Sequence, residues 1–571
     1  MKKLNKFFIL IIILAFQSCG ITKMQTSYKT VKYKVSPSVL ETHGKQVKVK
    51  IDAEFPPKYF AKKALMTITP VITSELGQKE LNPIRLQGEE FIGGKESWQK
   101  GDKTIFYEAG GKFKYEDQIA YDENLNISKL VLKASIESQN SLMKEEGRKI
   151  YNLDPITIAE GIITTSERVH DNEEVANKNH GYEHVTILEE KATIYFLVNQ
   201  SNIRTTEKSD SDIKSLKEFI SNGYKTHSIE IISYASPEGS VNTNDNVSKD
   251  RMRTTVNYTK RLLKKLKVDG AMNDDLYTET SVGEDWDGFE SILKKSQIKD
   301  KRKINNIIKS VQDVELREQQ IRDLSEIYDA VKNDVLPQLR KATIIIRSFE
   351  PKKNDEEIKL LSTIDPEKLT LNELLFSATL TNKLDEKKNI YNSVINLHND
   401  WRGYNNLACL YIIENKLEEA KKQLDIAASL TNNKLQSDIL TNKGIIESRK
   451  GNLKIAQKLY NQANTSELNQ AILDIRKGEY NKAARFYKNK TNFNATLSKI
   501  LNGNNNSLCN EKNAECYYLN AIALNRKGDL KASINYLNLA IERDSKYRLE
   551  AKNDLEFLNI RSNEDFIKLI K

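Results

Sequence analysis

Ser236, Glu238, Asn244, Ser248 and Arg251 crowd into the run Tyr234-Ala235-Ser236-Pro237-Glu238-Gly239 and the residues just after it. Arg251 offers a planar guanidinium fork suited to a carboxylate. Glu238 offers a carboxylate, whereas Ser236 is a neutral hydroxyl that cannot form an ion pair with an ammonium group. Ser248 lies near Arg251 but has no His and Asp partners to serve as a nucleophile's base, so it is expected to cap a helix. These types suit noncovalent grip rather than bond breaking. His180 and His184 have helical metal-ligand spacing, but Gly181 intervenes and no further ligands stand nearby, so no metal site follows. In Gly283-Glu284-Asp285-Trp286 the two acids are adjacent and would point apart on a helix, which suits a cap better than an acid/base pair. No phosphate loop is visible, because Gly110-Gly111-Lys112 has no helix after it. Neither a catalytic residue nor a cofactor is expected.

These residues must be positioned by a strand giving way to a helix. Ser228 to Tyr234 reads as the strand, and Met252, Val256 and Leu263 share the apolar face of the helix that follows. Upstream, Ala192 to Val198 reads as another strand. A helix then places Ile213, Leu216, Phe219 and Ile220 on one face, with Ser209 or Asp210 as its cap. Downstream, Asp287 to Pro337 is mainly helical, and Leu339 to Ile346 returns to strand.

The stretch Ser233 to Met252 resembles, without a gap, the ligand-binding turn of OmpA-like peptidoglycan-binding domains, which reads Gly-x-Thr-Asp-x-x-Gly and then Asn-x-x-Leu-Ser-x-x-Arg-Ala. Gly239, Asn244, Ser248 and Arg251 keep the family residue, and Ser236 stands where the family has Asp. Phe196, Asn199 and Ile203 resemble the family's opening pattern, and the likeness covers about Lys191 to Ser348. The resemblance implies a peptidoglycan pocket made by Arg251, Ser236, Glu238, Gly239 and Asn244. In it Arg251 receives a stem-peptide carboxylate, Glu238 supplies the missing acid, Gly239 permits a tight turn and Asn244 braces it.

The N-terminus has Lys2-Lys3, an apolar run from Phe7 to Phe16, and Ser18 before Cys19. That is an export signal, too short to span a membrane. Cys19 resembles the acylated cysteine of a lipobox, which implies lipidation and a periplasm-facing outer-membrane anchor. The formal charge of +10 drops to +7 when Lys2, Lys3 and Lys6 leave with the signal, and the excess is interleaved with acids. Lys260-Arg261-Leu262-Leu263-Lys264-Lys265 is therefore the solvated face of a helix rather than a nucleic-acid patch. Cys409 reads as a buried inert thiol. Cys509 and Cys516 could form a local disulfide in an oxidising compartment.

The expected fold is multidomain α+β. A signal (1–18) and a linker (19–44) precede a β-sandwich (45–166) of about seven alternating strands. A linker (167–183) leads to the OmpA-like α/β domain (184–350), and a second linker (351–366) leads to an α-helical repeat array (367–571). Small and large residues alternate there as in a tetratricopeptide repeat, around Tyr404, Leu407, Ala408, Ala420, Leu424 and Ala427. The pattern returns at Leu440, Gly444, Ala456 and Tyr460, more weakly at Gly478, Ala483 and Tyr487, and at Tyr517, Ala521, Ser533 and Leu537. Ala420 and Ala456 lie 36 residues apart, near the usual repeat of about 34. The helix pair from Leu371 is expected to cap the stack. Together these features point to a noncatalytic outer-membrane lipoprotein that associates with peptidoglycan and organises an envelope protein through its repeats. The competing reading is a scaffold whose OmpA-like domain no longer binds the wall, the Ser236 departure being its strongest support.

Overall fold

The computed structural model describes residues 20–91, 103–138, 149–431, 434 and 436–571; the signal and Cys19 lie outside them. The chain divides into two compact units. One joins the residues up to Asn179 with Asn382–Lys571, and the other is His180–Thr381. The sandwich and the repeats thus form one unit, and the second unit is inserted between them in sequence. The Leu371–Ser377 helix, expected to cap the stack, belongs to the inserted unit.

In the first unit the strands are β1 (Lys32–Ser36), β2 (Val39–His43), β3 (Gln46–Phe55), β4 (Ala64–Thr73), β5 (Gln78–Glu80) and β6 (Ile84–Gly88). They continue with β7 (Lys103–Ile105), β8 (Gly111–Ala120), β9 (Ser128–Ser138), β10 (Lys149–Asn152) and β11 (Ile156–Ile163). Their order is β1-β3-β2-β11-β9-β4-β6-β7, with β8 on β3, β5 on β4 and β10 on β9. Alternation dictates the core side: along β3, Val47, Val49, Ile51, Ala53 and Phe55 are buried and the residues between them are exposed. The strand ends where Pro56-Pro57 begin. Eleven described strands replace the expected seven or so, partly because β1 and β2 come from the stretch 19–44, expected as linker. Its Tyr28, Val31, Val35 and Leu40 are buried in the sandwich core.

The repeats are antiparallel helix pairs: Trp401–Ile413 with Leu417–Leu430, Ser437–Arg449 with Leu453–Ala463, Glu467–Arg476 with Tyr480–Phe486, and Ala514–Lys527 with Leu530–Arg543. Phe493–Leu501 stands before the last pair. The small residues read from the sequence sit where helices touch, with Ala408, Ala420, Ala427, Ala456 and Ala521 fully buried. The sandwich docks on this array through the turn between β2 and β3. Gly44 has φ +61° there, and a Cβ on it would lie 2.6 Å from the Lys477 carbonyl oxygen, so only glycine fits. His43 Nδ1 lies 2.8 Å from the Tyr480 hydroxyl, and Thr165 hydrogen-bonds to the buried Glu556, which also takes Arg526.

The inserted unit carries β12 (Ile187–Tyr195), β13 (Thr226–Ala235), β14 (Tyr277–Glu284) and β15 (Lys341–Phe349), ordered β12-β15-β13-β14. β15 is antiparallel to both neighbours, and β13 and β14 are parallel, so a crossover must join them. The Val241–Lys265 helix provides it. With the Ser211–Ser221 helix it buries Ile213, Leu216, Val256 and Leu263 against Ile194, Ile229, Ile231 and Ile344. The helices between β14 and β15 pack a separate core of Phe289, Leu293, Ile304, Ile321, Val331 and Leu336.

A Cβ at Gly444 would lie 2.4 Å from a ring carbon of Tyr460 in the paired helix. Gly444→Val is therefore expected to lower stability by about 1–3 kcal/mol through overpacking. Urea unfolding should show a lower midpoint at unchanged slope.

Candidate functional site

β13 ends in the turn that carries Ser236 to Gly239, and the Val241–Lys265 helix starts immediately after, capped by Ser240, whose hydroxyl accepts from Thr243 N. The cap is thus Ser240, not Ser248. Ser248 lies inside the helix, fully buried, where its Oγ donates to the Ser233 carbonyl and accepts from Ser281 Oγ and Gly283 N. It ties the helix to β13 and β14. Gly283 has φ +74°, and a Cβ there would come within 2.5 Å of Asp245.

Arg251 points inward from the same helix and is 1% exposed. Its Nε donates to Gln200 O at 3.0 Å, Nη1 to Tyr234 O at 2.8 Å and Nη2 to Leu197 O at 3.2 Å, with the Phe196 ring beside it. Burial, and then the charge of Arg340, push its pKa down to about 10. Glu238 is also engaged: Arg340 grips it with two bonds, Nε to Oε1 at 2.7 Å and Nη2 to Oε2 at 2.9 Å. Ser236, 3% exposed, donates to the same carboxylate at 2.6 Å. Asn244 Nδ2 donates to Gly239 O and to Glu284 Oε1, and Trp286 Nε1 donates to the other oxygen of Glu284. Gly239 does not adopt a left-handed backbone, and a Cβ there would meet Asn244 at 3.4 Å. The fold therefore brings Ser236, Glu238, Gly239 and Asn244 together, while the guanidinium of Arg251 is engaged by backbone carbonyls rather than by any of them.

Of the acids in Gly283-Glu284-Asp285-Trp286, Asp285 caps the Trp286–Lys295 helix, accepting from Gly288 N. Glu284 faces Glu318 of the Val314–Arg322 helix. Burial, and then the nearby Glu284 charge, raise Glu318 to about 7 despite its ion pair with Arg322. His180 Nδ1 accepts from Tyr182 N, His184 Nε2 lies 3.2 Å from Asp355, and both rings pack edge-on to Phe376.

A second arrangement sits in the first unit. The stretch expected as a linker between sandwich and OmpA-like domain runs extended through the groove of the array, with the acceptor and donor of each clamping asparagine amide closing on one residue's backbone. His170 N donates to Asn494 Oδ1 and Asn494 Nδ2 donates back to His170 O, at 2.9 and 3.0 Å. The same pair of bonds joins Glu174 to Asn469, Ala176 to Asn442 and Lys178 to Asn406. Asn520 grips Cys509 alike, in the loop closed by the Cys509–Cys516 disulfide. Val169, just before the first clamped position, and Val175, between two of them, pack on core clusters of the array. Glu173 is buried between Arg449 and Arg476. Burial alone would raise its pKa, but the two arginines more than reverse this and hold it below the ordinary carboxylate range. Asp171 also bonds Arg476, and Arg168 reaches Glu550 and Asp554 across the Tyr518 ring. Asn406, Asn442, Asn469, Asn494, Arg449 and Arg476 were not singled out from the sequence. The available signal was an asparagine recurring on the first helices of three pairs and again on Phe493–Leu501.

No family model matches the chain, and no curated protein is similar to it. Among solved structures it is similar to a tetratricopeptide repeat protein from Parabacteroides merdae, at 17% identity over 42% of this chain and 99% of that one, with a TM-score of 0.27. It is also similar to YrrB, a tetratricopeptide repeat protein with an unusual peptide-binding site, at 14% identity over 38% and 90%, with a TM-score of 0.17. The Cut9–Hcn1 hetero-tetramer of the APC/C matches at 13% identity over 58% and 73%, with a TM-score of 0.25.

Glu318 titrates higher folded than unfolded, so the folded state holds the extra proton between the two values. Its stabilisation is full below the unfolded value of 4.5 and is lost as pH rises through about 7. The urea midpoint is expected to fall between pH 5 and pH 8 in the native chain and to fall less in Glu318→Gln. Equal slopes for the two proteins would remove Glu318 as the source.

Proposed function

We propose that this chain is a noncatalytic envelope scaffold, held to the outer membrane by a lipid on Cys19, that organises a protein partner through its sandwich-and-repeat unit. In this reading the inserted unit keeps an OmpA-like α/β fold whose turn no longer holds peptidoglycan. The order β12-β15-β13-β14, with a helix after β12 and another after β13, supports the fold part of the proposal. One observation carries the loss of binding: both charged groups of the turn are consumed internally. Arg251 spends its guanidinium on three backbone carbonyls and Glu238 is held by Arg340. A ligand carboxylate would have to draw the guanidinium away from these carbonyls, one of which, Leu197 O, also accepts from Gln200 N at 3.2 Å. The second reading, association with peptidoglycan through Arg251, Ser236, Glu238, Gly239 and Asn244, is favoured by the gapless motif on a strand-to-helix turn.

Cosedimentation of the full chain with purified diaminopimelate-type peptidoglycan separates the two readings. No saturable binding is expected. Arg251→Ala should instead cost stability, roughly 1–3 kcal/mol, because a buried side chain and its three bonds to backbone carbonyls are lost; thermal unfolding reads that loss. Saturable binding by the native chain that a still-folded Arg251→Ala abolishes would restore the wall tether and overturn the proposal.

A further inference from the structure

We propose that the groove of the repeat array is a binding site for an extended acidic peptide and that it is already filled, in cis, by residues 168–179 of the same chain. A protein partner that uses this groove gains it only by displacing that segment. The inference deepens the scaffold reading and rests on it for the existence of a partner.

The recognition chemistry has two parts. The first is indifferent to side chains: Asn406, Asn442, Asn469 and Asn494, each at most 3% exposed, pair with the backbone N–H and C=O of Lys178, Ala176, Glu174 and His170. A carboxamide carries donor and acceptor on one terminal group, so it can close on any extended backbone in that register. The second part selects sequence. Arg449 and Arg476, with side chains 6% and 8% exposed, converge on Glu173, and Arg476 also bonds Asp171. Two buried guanidiniums need carboxylates, so the groove asks for acids two residues apart. Val169 and Val175 pack on the array on either side of that acidic pair. The segment makes no helix or strand of its own. Its hold comes from the array.

Occupation by the neighbouring chain segment closes the site to any ligand that cannot displace it. A tethered occupant competes at an effective concentration on the order of millimolar for a short flexible link. Seating is reported by Cys409. Its thiol is fully buried, lies 3.4 Å from Ala176 O, and takes a bond from Asn442 Nδ2 at 3.2 Å. Burial pushes its pKa up and keeps the thiol unreactive while it is covered, so lifting the segment is expected to speed its labelling.

The test uses a fluorescent peptide with the sequence of residues 167–179, the full chain, and the full chain carrying Asp171→Asn and Glu173→Gln. The native chain should show no saturable binding. The double variant should bind the peptide one to one, at least about tenfold more tightly than a peptide with both acids neutralised, a ratio worth about 1.4 kcal/mol. Maleimide labelling of Cys409, located by mass spectrometry, should be faster in the variant and slowed again by the acidic peptide. A folded variant that binds neither peptide and keeps Cys409 protected would overturn the proposal, as would a native chain that binds the peptide as well as the variant does. Should the variant not fold, the native chain alone decides through labelling across a urea series. Cys409 reacting well before helical circular dichroism is lost supports a segment that lifts by itself. Reaction only with global unfolding makes it a permanent part of the core and overturns the proposal. The probe is the chain's own segment, so an absent envelope partner would leave these outcomes unchanged.

Discussion

The segment 168–179 lies extended along helices whose own N–H and C=O groups are already spent on one another, so where its backbone turns away from water it must find other partners. That constraint shapes the first unit. Only side chains can answer it, and asparagine answers donor and acceptor with one group; this accounts for four deeply buried asparagines pairing with His170, Glu174, Ala176 and Lys178. Such residues would weaken helix interiors for no return if the groove were empty, since their amides favour local alternatives to the helix. Glu173 imposes the same logic on charge. Its burial is tolerable only because Arg449 and Arg476 both reach it. The polar interior of the array is therefore the complement of one particular segment.

The clamps close long loops. Lys178 and Asn406 are 228 residues apart, and His170 and Asn494 are 324 apart, so the segment runs antiparallel to the order of the repeats. Closure entropy grows only logarithmically with length, roughly 0.6 kcal/mol per doubling for a flexible loop. A whole folded unit can thus sit in the loop between segment and array at small added cost. The insertion of His180–Thr381 into the first unit is thermodynamically cheap for this reason. Kinetically the order should favour the local helix pairs, because contacts this distant in sequence form late.

What the sequence disclosed follows the range of the forces involved. Alternation along Val47, Val49 and Ile51, and the small residues Ala408, Ala420 and Ala456, are local signals, and they gave strands and helix pairs where expected. β1 and β2 were missed because each has only five residues, too few for alternation to stand out beside the longer β3. The strand-to-helix turn at Ser236 was legible because its residues are contiguous. Arg340 was not, since it meets Glu238 across 102 positions and nothing in either neighbourhood announces the pairing. The segment 168–179 reads as linker on composition alone. Its polarity is satisfied by partners hundreds of residues away, which no window of sequence contains.

The turn shows how residues that resemble a binding motif can be occupied in holding the fold. Ser248 binds Ser233, Ser281 and Gly283, Asn244 joins Gly239 to Glu284, and Arg251 fastens the loop at Leu197 and Gln200 to the end of β13 at Tyr234. Each of these residues matches the OmpA-like pattern, and each here holds one backbone segment against another. The spacing is thus required by the fold itself, with or without a ligand. The position that would register a ligand most directly is Ser236, where the pattern has an acid. There the hydroxyl, with Glu238, completes a neutral pair with Arg340. A turn whose one carboxylate is already held by Arg340 has none free to receive an ammonium group, whereas the groove of the array, with its paired arginines, holds an acidic chain.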